Sequence, residues 1–154
     1  MRPALACQRT LGTSPVDTQS RRTRHPHAAT LQAVRRAIRV VQAGLPAGLP
    51  SLAYRQALEI ELRALGVSVR SDAAIPIHYK GVRLTAHYLV DLVCADTIIL
   101  VILPAGSDDP GWLAHCLEAS GTLTALGVRF GRGEVAVREW TRAARPRLVA
   151  EPPP

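Results

Sequence analysis

Apolar residues recur at helical spacing in two early segments of the chain. The first stripe has spacings of three, four and three positions and consists of Leu31, Val34, Ile38 and Val41. The second stripe follows a segment rich in Gly and Pro and consists of Tyr54, Leu58, Leu62 and Leu65. This periodicity predicts two amphipathic helices. Ser51 is the expected N-cap of the second helix and Gly66 its end, and Arg55, Glu59 and Arg63 have the spacing of i,i+4 ion pairs.

The periodicity changes from helical to alternating after residue 67. Ile75–Tyr79 alternates apolar with more polar residues and is followed by Lys80-Gly81, which predicts a strand entering a hairpin turn. Pro76 within this strand is typical of the edge of a sheet, because proline cannot donate a ladder hydrogen bond. Residues 84–94 are rich in branched side chains and predict the second strand.

The rest of the central segment predicts a buried strand and a third helix. The apolar run 98–103 is typical of a strand that is covered on both faces. Asp108, Asp109 and Pro110 predict a helix start, and Trp112–Leu123 the helix itself. The segments GVRFG and EVAVREW predict one or two final strands. This order of elements predicts an α/β sandwich around a mixed sheet.

The positive charge is concentrated at the two ends of the chain. The 154 residues carry a formal net charge of +7, which indicates affinity for a polyanion. Residues 1–27 hold five arginines against one acid, and residues 142–154 hold three against one. Neither end has apolar periodicity, so we expect flexible tails there and one folded domain at 28–141. That domain has 11 basic and 10 acidic residues and is nearly neutral.

Composition narrows the classes of function further. Only 4% of the residues are aromatic, which is too few for single-strand binding through successive stacked rings. Three widely spaced cysteines without a CxxC pair favour a reducing compartment and argue against a disulfide framework or a zinc site. The longest apolar run has six residues, whereas a membrane helix needs about 20. We therefore expect a cytoplasmic protein with no membrane partner.

Three segments carry a resemblance to a known family. Residues 45–58, LPAGLPSLAYRQAL, share six positions with the family segment LGPGLLESVYEEAL: Leu45, Gly48, Leu49, Tyr54, Ala57 and Leu58. Residues 75–81, IPIHYKG, are nearly the family's IPVxYKG, and YLVDLV precedes the apolar strand. Over roughly residues 31–131 the chain resembles the GxxExxP proteins, small members of the PD-(D/E)XK nuclease superfamily. The resemblance implies a restriction-endonuclease-like α/β sandwich with a mixed central sheet flanked by helices.

The resemblance also implies a catalytic site, in which one or two Mg²⁺ ions are held by an Asp and by a Glu that stands two residues before a Lys. Hard cations require carboxylate oxygens, and the metal polarises the phosphate and lowers the pKa of the attacking water. The Lys supplies positive charge beside the transition state. In the family pattern the Glu and Lys follow the Asp by ten and twelve residues. Asp91 matches the Asp, but Val101 and Leu103 stand at the Glu and Lys positions.

Other family positions have also changed. The family's helix Glu corresponds to Ser51, and its Gln and Tyr on a later helix correspond to His115 and Ala119. The resemblance thus implies a degenerate, catalytically inactive domain, with Asp91 as the remnant of the motif. We expect no cofactor, and Mg²⁺ only if the site is active. Weak, salt-dependent nucleic-acid contacts are expected from the basic residues Arg35, Arg36, Arg39 and Lys80.

Two alternatives stay open at this point. The first is an active Mg²⁺-dependent nuclease with displaced ligands, in which Asp96, Asp108 or Asp109 would have to approach Asp91. The second is a protein-interaction module with no role in nucleic-acid binding, which the nearly neutral domain favours. The sequence identifies no protein partner for such a module. If the former catalytic strand has joined the core, Val101 and Leu103 are expected to be buried.

Overall fold

The computed structural model describes residues 27–106 and 111–142. In chain order the elements are α1 (His27–Gly44), α2 (Ser51–Ala64), β1 (Val69–Tyr79), β2 (Val82–Cys94), β3 (Ile98–Ile102), α3 (Trp112–Ser120), β4 (Thr124–Phe130) and β5 (Val135–Thr141). This order confirms the predicted succession of helices and strands. Residues 1–26 and 143–154 of the two predicted tails, and the helix start predicted at residues 108–110, lie outside the described residues.

The described strands form one mixed sheet in the order β1-β2-β3-β4-β5. Neighbouring strands are antiparallel except for β3 and β4, which are parallel. A parallel pair needs a crossover connection, and α3 lies in the segment that joins β3 to β4. The sheet and its flanking helices confirm the predicted restriction-endonuclease-like α/β class. Because β1 is an edge strand, the prediction from Pro76 is confirmed as well.

The sheet separates two layers of core. On one face, the first cluster joins apolar residues of α1 and α2 to side chains such as Leu92, Leu100 and Leu126. On the other face, the second cluster joins Leu113 of α3 to side chains that include Ile99. All residues of β3 are buried, which confirms a strand covered on both faces. The sandwich thus buries the apolar stripes of all three described helices.

The β1–β2 hairpin has a two-residue turn. Tyr79 pairs with Val82, and between them Lys80 and Gly81 have φ values of 50° and 78°. Two successive residues in the left-handed region are typical of the turn type that matches the twist of a hairpin. The predicted Lys80-Gly81 turn is therefore confirmed.

Two predicted helix boundaries are wrong. Helix α2 begins at Ser51 itself, so its N-cap is Pro50, and no side chain caps the helix. Helix α3 ends at Ser120 rather than at Leu123, because Gly121 takes a left-handed conformation with φ 71°. Beyond that glycine, the Leu123 N–H donates to the carbonyl of Thr97, which starts the chain into the sheet.

The ion pairs predicted along α2 are confirmed only in part. Arg63 contacts Glu59 at 3.2 Å, as the i,i+4 spacing predicts. Arg55 instead pairs with Asp72 on β1, and Glu59 also accepts a hydrogen bond from the Ser71 hydroxyl. These contacts tie α2 to the sheet. Among the described helices, none has both the length and the hydropathy of a membrane-spanning segment.

Candidate functional site

Asp91 lies where β2 and β3 separate. The two strands are paired from Cys94 back to Leu92. At the next position Oδ2 of Asp91 accepts a hydrogen bond from the Ile102 backbone N–H, at 2.7 Å. The carboxylate thereby satisfies a main-chain donor at the point where ladder pairing between the strands stops. We refer to this place as the fork.

A second carboxylate, Asp72, lies on β1 opposite Asp91 of β2. Asp72 falls between the register pairs Ser71–Leu92 and Ala73–Val90, and its φ is 50°. Aspartate tolerates this left-handed conformation better than most residues do. Residues two apart in a strand normally lie on the same face of the sheet. Here the left-handed backbone at Asp72 places Ser71 on the face of α2 and Ala73 on the opposite face, in the second cluster.

Arg55 supplies positive charge to both carboxylates. It projects from α2, pairs with Asp72 and lowers the pKa of Asp91 through its charge. Its side chain is only 17% exposed, and its Nε is buried without a hydrogen-bond partner. A guanidinium in this position offsets part of the repulsion between the two acids.

Burial has the largest effect on the pKa of Asp91 and raises it above the ordinary value. The hydrogen bond from Ile102 and the charge of Arg55 act in the opposite direction, and the charge of Asp72 adds to the increase. Since the pKa remains raised, desolvation outweighs the favourable partners. The carboxylate is therefore held in the fork at an energetic cost at neutral pH.

Val101 and Leu103 are core residues. Their relative exposures are 7% and 8%, and both pack in the second cluster, beneath α3. The Leu103 N–H donates to the Val128 carbonyl at 2.7 Å, which continues the β3–β4 pairing. Gly127 on β4 lets the Leu103 side chain approach, because a Cβ there would lie 3.0 Å from its Cδ1. The two positions at which the resemblance implies Glu and Lys thus lie in a packed apolar layer.

These residues do not fit a magnesium ion. Among the described residues, no group of three or more His, Cys, Asp or Glu side chains is arranged to hold a metal. One oxygen of Asp91 is already bonded to Ile102, and the nearby charge of Arg55 would repel a cation. Magnesium requires near-octahedral oxygen ligands, which the apolar Val101 and Leu103 cannot supply.

The remaining motif candidates are dispersed. Ser51 is exposed at the start of α2. His115 is exposed on α3 and lines a recess of about 360 Å³ with His78 and Tyr88. Asp96, one of the proposed displaced ligands, is an exposed residue whose side chain pairs with Arg70 at 2.9 Å. The other two, at positions 108 and 109, lie outside the described residues.

Both described cysteines are structural. Cys94 belongs to the first cluster and Cys116 to the second, and burial raises the pKa of each thiol to about 12. At neutral pH both are protonated and therefore poor nucleophiles.

The candidate nucleic-acid contacts lie on two surfaces. Arg35 of α1 forms an ion pair with Glu139 of β5. Arg36 and Arg39 on the same helix are exposed, and Arg39 lines a recess of about 690 Å³ beside the β4–β5 turn. Lys80 is exposed at the turn of the β1–β2 hairpin, with its Nζ 5.5 Å from the ring centroid of Tyr79.

Sequence reasoning missed Arg55 and Asp72 as parts of the site. The predicted strand began at Ile75, so Asp72 lay outside it and its place within β1 could not be seen. Arg55 carried no signal either, because its i,i+4 spacing to Glu59 favoured a pair along the helix. Its contact to β1 depends on how α2 packs on the sheet.

Comparison with known proteins gives a match over the part of the chain that contains the fork. No curated protein and no solved structure shows a significant match to the chain. A family model does match, from α1 through the end of the apolar strand, so that the match includes Asp91, Val101 and Leu103. Residues 28–103 of this chain are similar to the PD-(D/E)XK nuclease superfamily.

Proposed function

We propose that the chain is a nuclease-like domain of the GxxExxP type that binds nucleic acid without hydrolysing it. One observation carries the loss of catalysis: Val101 and Leu103 are buried where the superfamily's chemistry needs a metal-binding Glu and a Lys. Neither side chain can bind a cation or stabilise a developing negative charge. The remnant Asp91 serves instead as a backbone acceptor in the fork.

The charge around the fork supports this proposal. In a metal-dependent nuclease the ion neutralises the acids that bind it and activates water. Here Arg55 provides the neutralising charge, and a guanidinium cannot lower the pKa of a bound water as Mg²⁺ does. The fork can therefore be stable without an ion, and the described residues around it include no metal-binding group that would generate the nucleophile.

Exposed basic side chains support nucleic-acid binding. Arg36 and Arg39 on α1 and Lys80 and Arg83 on the hairpin are all exposed, and the whole chain has a net charge of +7. Each phosphate contact releases a counterion, so the affinity is expected to fall steeply with salt.

A cleavage assay tests the loss of catalysis. The full chain is incubated with plasmid DNA, single-stranded DNA and duplex RNA, in Mg²⁺ or in Mn²⁺, beside the variant Asp91→Asn. We expect no difference between the protein and this variant, and no heat of binding for either metal at millimolar concentration. Metal-dependent cleavage that Asp91→Asn abolishes would contradict the proposal and favour the active-nuclease alternative.

A binding assay tests the retained function. Fluorescence anisotropy of labelled duplex and single-stranded DNA is measured with the full chain from about 50 to 200 mM salt. We expect binding that weakens linearly on a log–log scale. Absence of binding at the lowest salt would refute nucleic-acid binding and favour the protein-interaction alternative.

A further inference from the structure

The outer half of the β1–β2 hairpin projects beyond its neighbours in the sheet. Strand β3 pairs with β2 only over Leu92–Cys94, so the described sheet has no β3 partner for residues 82–91. All ten residues from His78 to His87 are exposed. We call this segment the ribbon tip.

A bulge separates the ribbon tip from the rest of the hairpin. Pro76 pairs with His87 and His78 pairs with Arg83, so one residue of β1 stands opposite three of β2. Bulges bend a strand and increase its local twist. The ribbon tip is thus a two-stranded element whose strands bend away from the rest of the hairpin at the bulge.

The ribbon tip is entirely free of acidic residues. Between residues 73 and 90 the sequence contains no Asp or Glu, whereas it contains Lys80, Arg83 and the histidines His78 and His87. Lys80 lies over the Tyr79 ring, and neither Lys80 nor Arg83 forms a salt bridge with another described residue. Although the domain as a whole is nearly neutral, the ribbon tip is purely basic, as is α1.

Large apolar side chains are exposed beside these charges. Tyr79 is 62% exposed, Val82 65% and Leu84 41%. Apolar groups flanked by positive charge suit the groove of a nucleic acid, where phosphates line both edges and base edges and thymine methyl groups lie within.

We propose that the ribbon tip inserts into the major groove of duplex DNA. This inference rests on the proposed nucleic-acid binding and adds to it the surface and the type of duplex. Two paired strands lie about 4.8 Å apart, and the major groove of B-form DNA, about 12 Å wide and 8.5 Å deep, admits such a ribbon. Five residues per strand extend about 17 Å, which is enough to reach the groove floor. The major groove of A-form RNA is too narrow for side chains to read, so duplex RNA does not fit.

A pair of matched double variants tests the surface. Lys80→Ala with Arg83→Ala removes two exposed charges from the ribbon tip, and Arg36→Ala with Arg39→Ala removes two from α1. Both are made in the full chain, and circular dichroism checks that each is folded. Affinity for a 20-base-pair DNA duplex is measured by anisotropy between about 50 and 200 mM salt, with an RNA duplex of the same sequence in parallel.

We expect the ribbon variant to lose at least about tenfold in affinity and to lower the salt slope by about 1.8, the value for two lost phosphate contacts. The α1 variant should lose less affinity than the ribbon variant, because Arg36 and Arg39 would contact phosphates outside the groove and not insert into it. Methyl green, which occupies the major groove, should displace the protein, whereas the minor-groove ligand netropsin should not.

The failures are distinguishable. Absence of DNA binding by the parent protein would refute the proposed function itself. DNA binding that depends on Arg36 and Arg39 and not on Lys80 and Arg83 would refute only the ribbon. Equal affinity for the RNA duplex, or displacement by netropsin alone, would overturn the major-groove assignment. Self-association that Tyr79→Ser with Val82→Ser abolishes, while DNA binding is unchanged, would identify a second copy as the partner instead.

Discussion

Introducing the Glu and Lys that the resemblance implies at positions 101 and 103 should destabilise the fold rather than create a site. Val101→Glu with Leu103→Lys replaces two side chains that are 7% and 8% exposed. Burying a Val or Leu side chain contributes about 1.5–3 kcal/mol, so the lost burial alone amounts to about 3–6 kcal/mol. The new charges add a desolvation penalty, since Leu113 and Cys116 of the same cluster provide no partner. A domain of this size has about 5–15 kcal/mol in total, so the double variant approaches unfolding.

Urea unfolding followed by circular dichroism measures this loss. With a slope of about 1.5 kcal/mol per molar, a loss of 3 kcal/mol lowers the midpoint by about 2 M. Val82→Glu with Leu84→Lys is the matched control, because it places the same pair of residues at the same spacing on exposed positions of β2. The control should change the free energy of unfolding by less than about 0.5 kcal/mol. A Val101/Leu103 variant as stable as the parent would show that these positions open into a cleft, and the reasoning would fail.

Three smaller perturbations test the fork and its surroundings. Arg55→Met should lower the free energy of unfolding by about 1–2 kcal/mol at pH 7. The loss should be smaller at pH 4, because the pKa of Asp91 is raised and its carboxylate then carries less of the negative charge that Arg55 offsets. Arg63→Met on the exposed side of α2 should cost under about 0.5 kcal/mol, and equal losses for Arg55→Met at both pH values would count against this role. Because the native pKa of Asp91 is raised, the folded state holds more protons than the unfolded state above about pH 3.9, and stability is lost as the pH rises through the native pKa. The stability of Asp91→Asn relative to the parent should therefore increase from pH 3.5 to pH 7 in urea titrations, and a constant difference would contradict the raised pKa. Gly127→Ala should cost about 1–3 kcal/mol in the same assay, because the added Cβ would lie 3.0 Å from a core leucine, whereas Gly44→Ala meets nothing within 4 Å and should be neutral or slightly stabilising.

The fold could be predicted from sequence because its strongest patterns are local. The spacing of apolar residues predicts burial directly, both in the stripes of α1 and α2 and in the apolar run of β3. The two-residue turn is predicted by the Lys80-Gly81 pair between two strand patterns. Helix ends were less predictable. The end of α3 lies at Gly121, which adopts a left-handed conformation; this is the same signal as Gly66 after α2, but the apolar Leu123 beyond it extended the predicted helix. The start of α2 also differs by one residue: Ser51 is its first helical residue and Pro50 its N-cap, so no side chain caps the helix although Ser51 is a preferred N-cap residue.

The site could be predicted only along single strands. Period-two spacing places Val101 and Leu103 on the same face, and the structure has both in the second cluster. The grouping of Arg55 with Asp72 and Asp91 was not accessible, because it joins three elements and depends on the left-handed backbone at Asp72. Sequence patterns predict which residues share a face of one helix or strand. They do not predict which other element packs over that face.

The charge balance at the fork explains why the loss of catalysis is difficult to reverse, given the proposed function. Two acids across a strand pair repel each other, and a metal site relieves this repulsion only while the ion is bound. Arg55 relieves it permanently, since its charge belongs to the chain and does not depend on ion concentration. Once that charge is in place, Val101 and Leu103 can pack beneath α3 without leaving a carboxylate unpaired in the core. Restoring Glu and Lys would therefore place two further charges beside a site that already has its cation, so the ion-binding set would require a change at Arg55 as well.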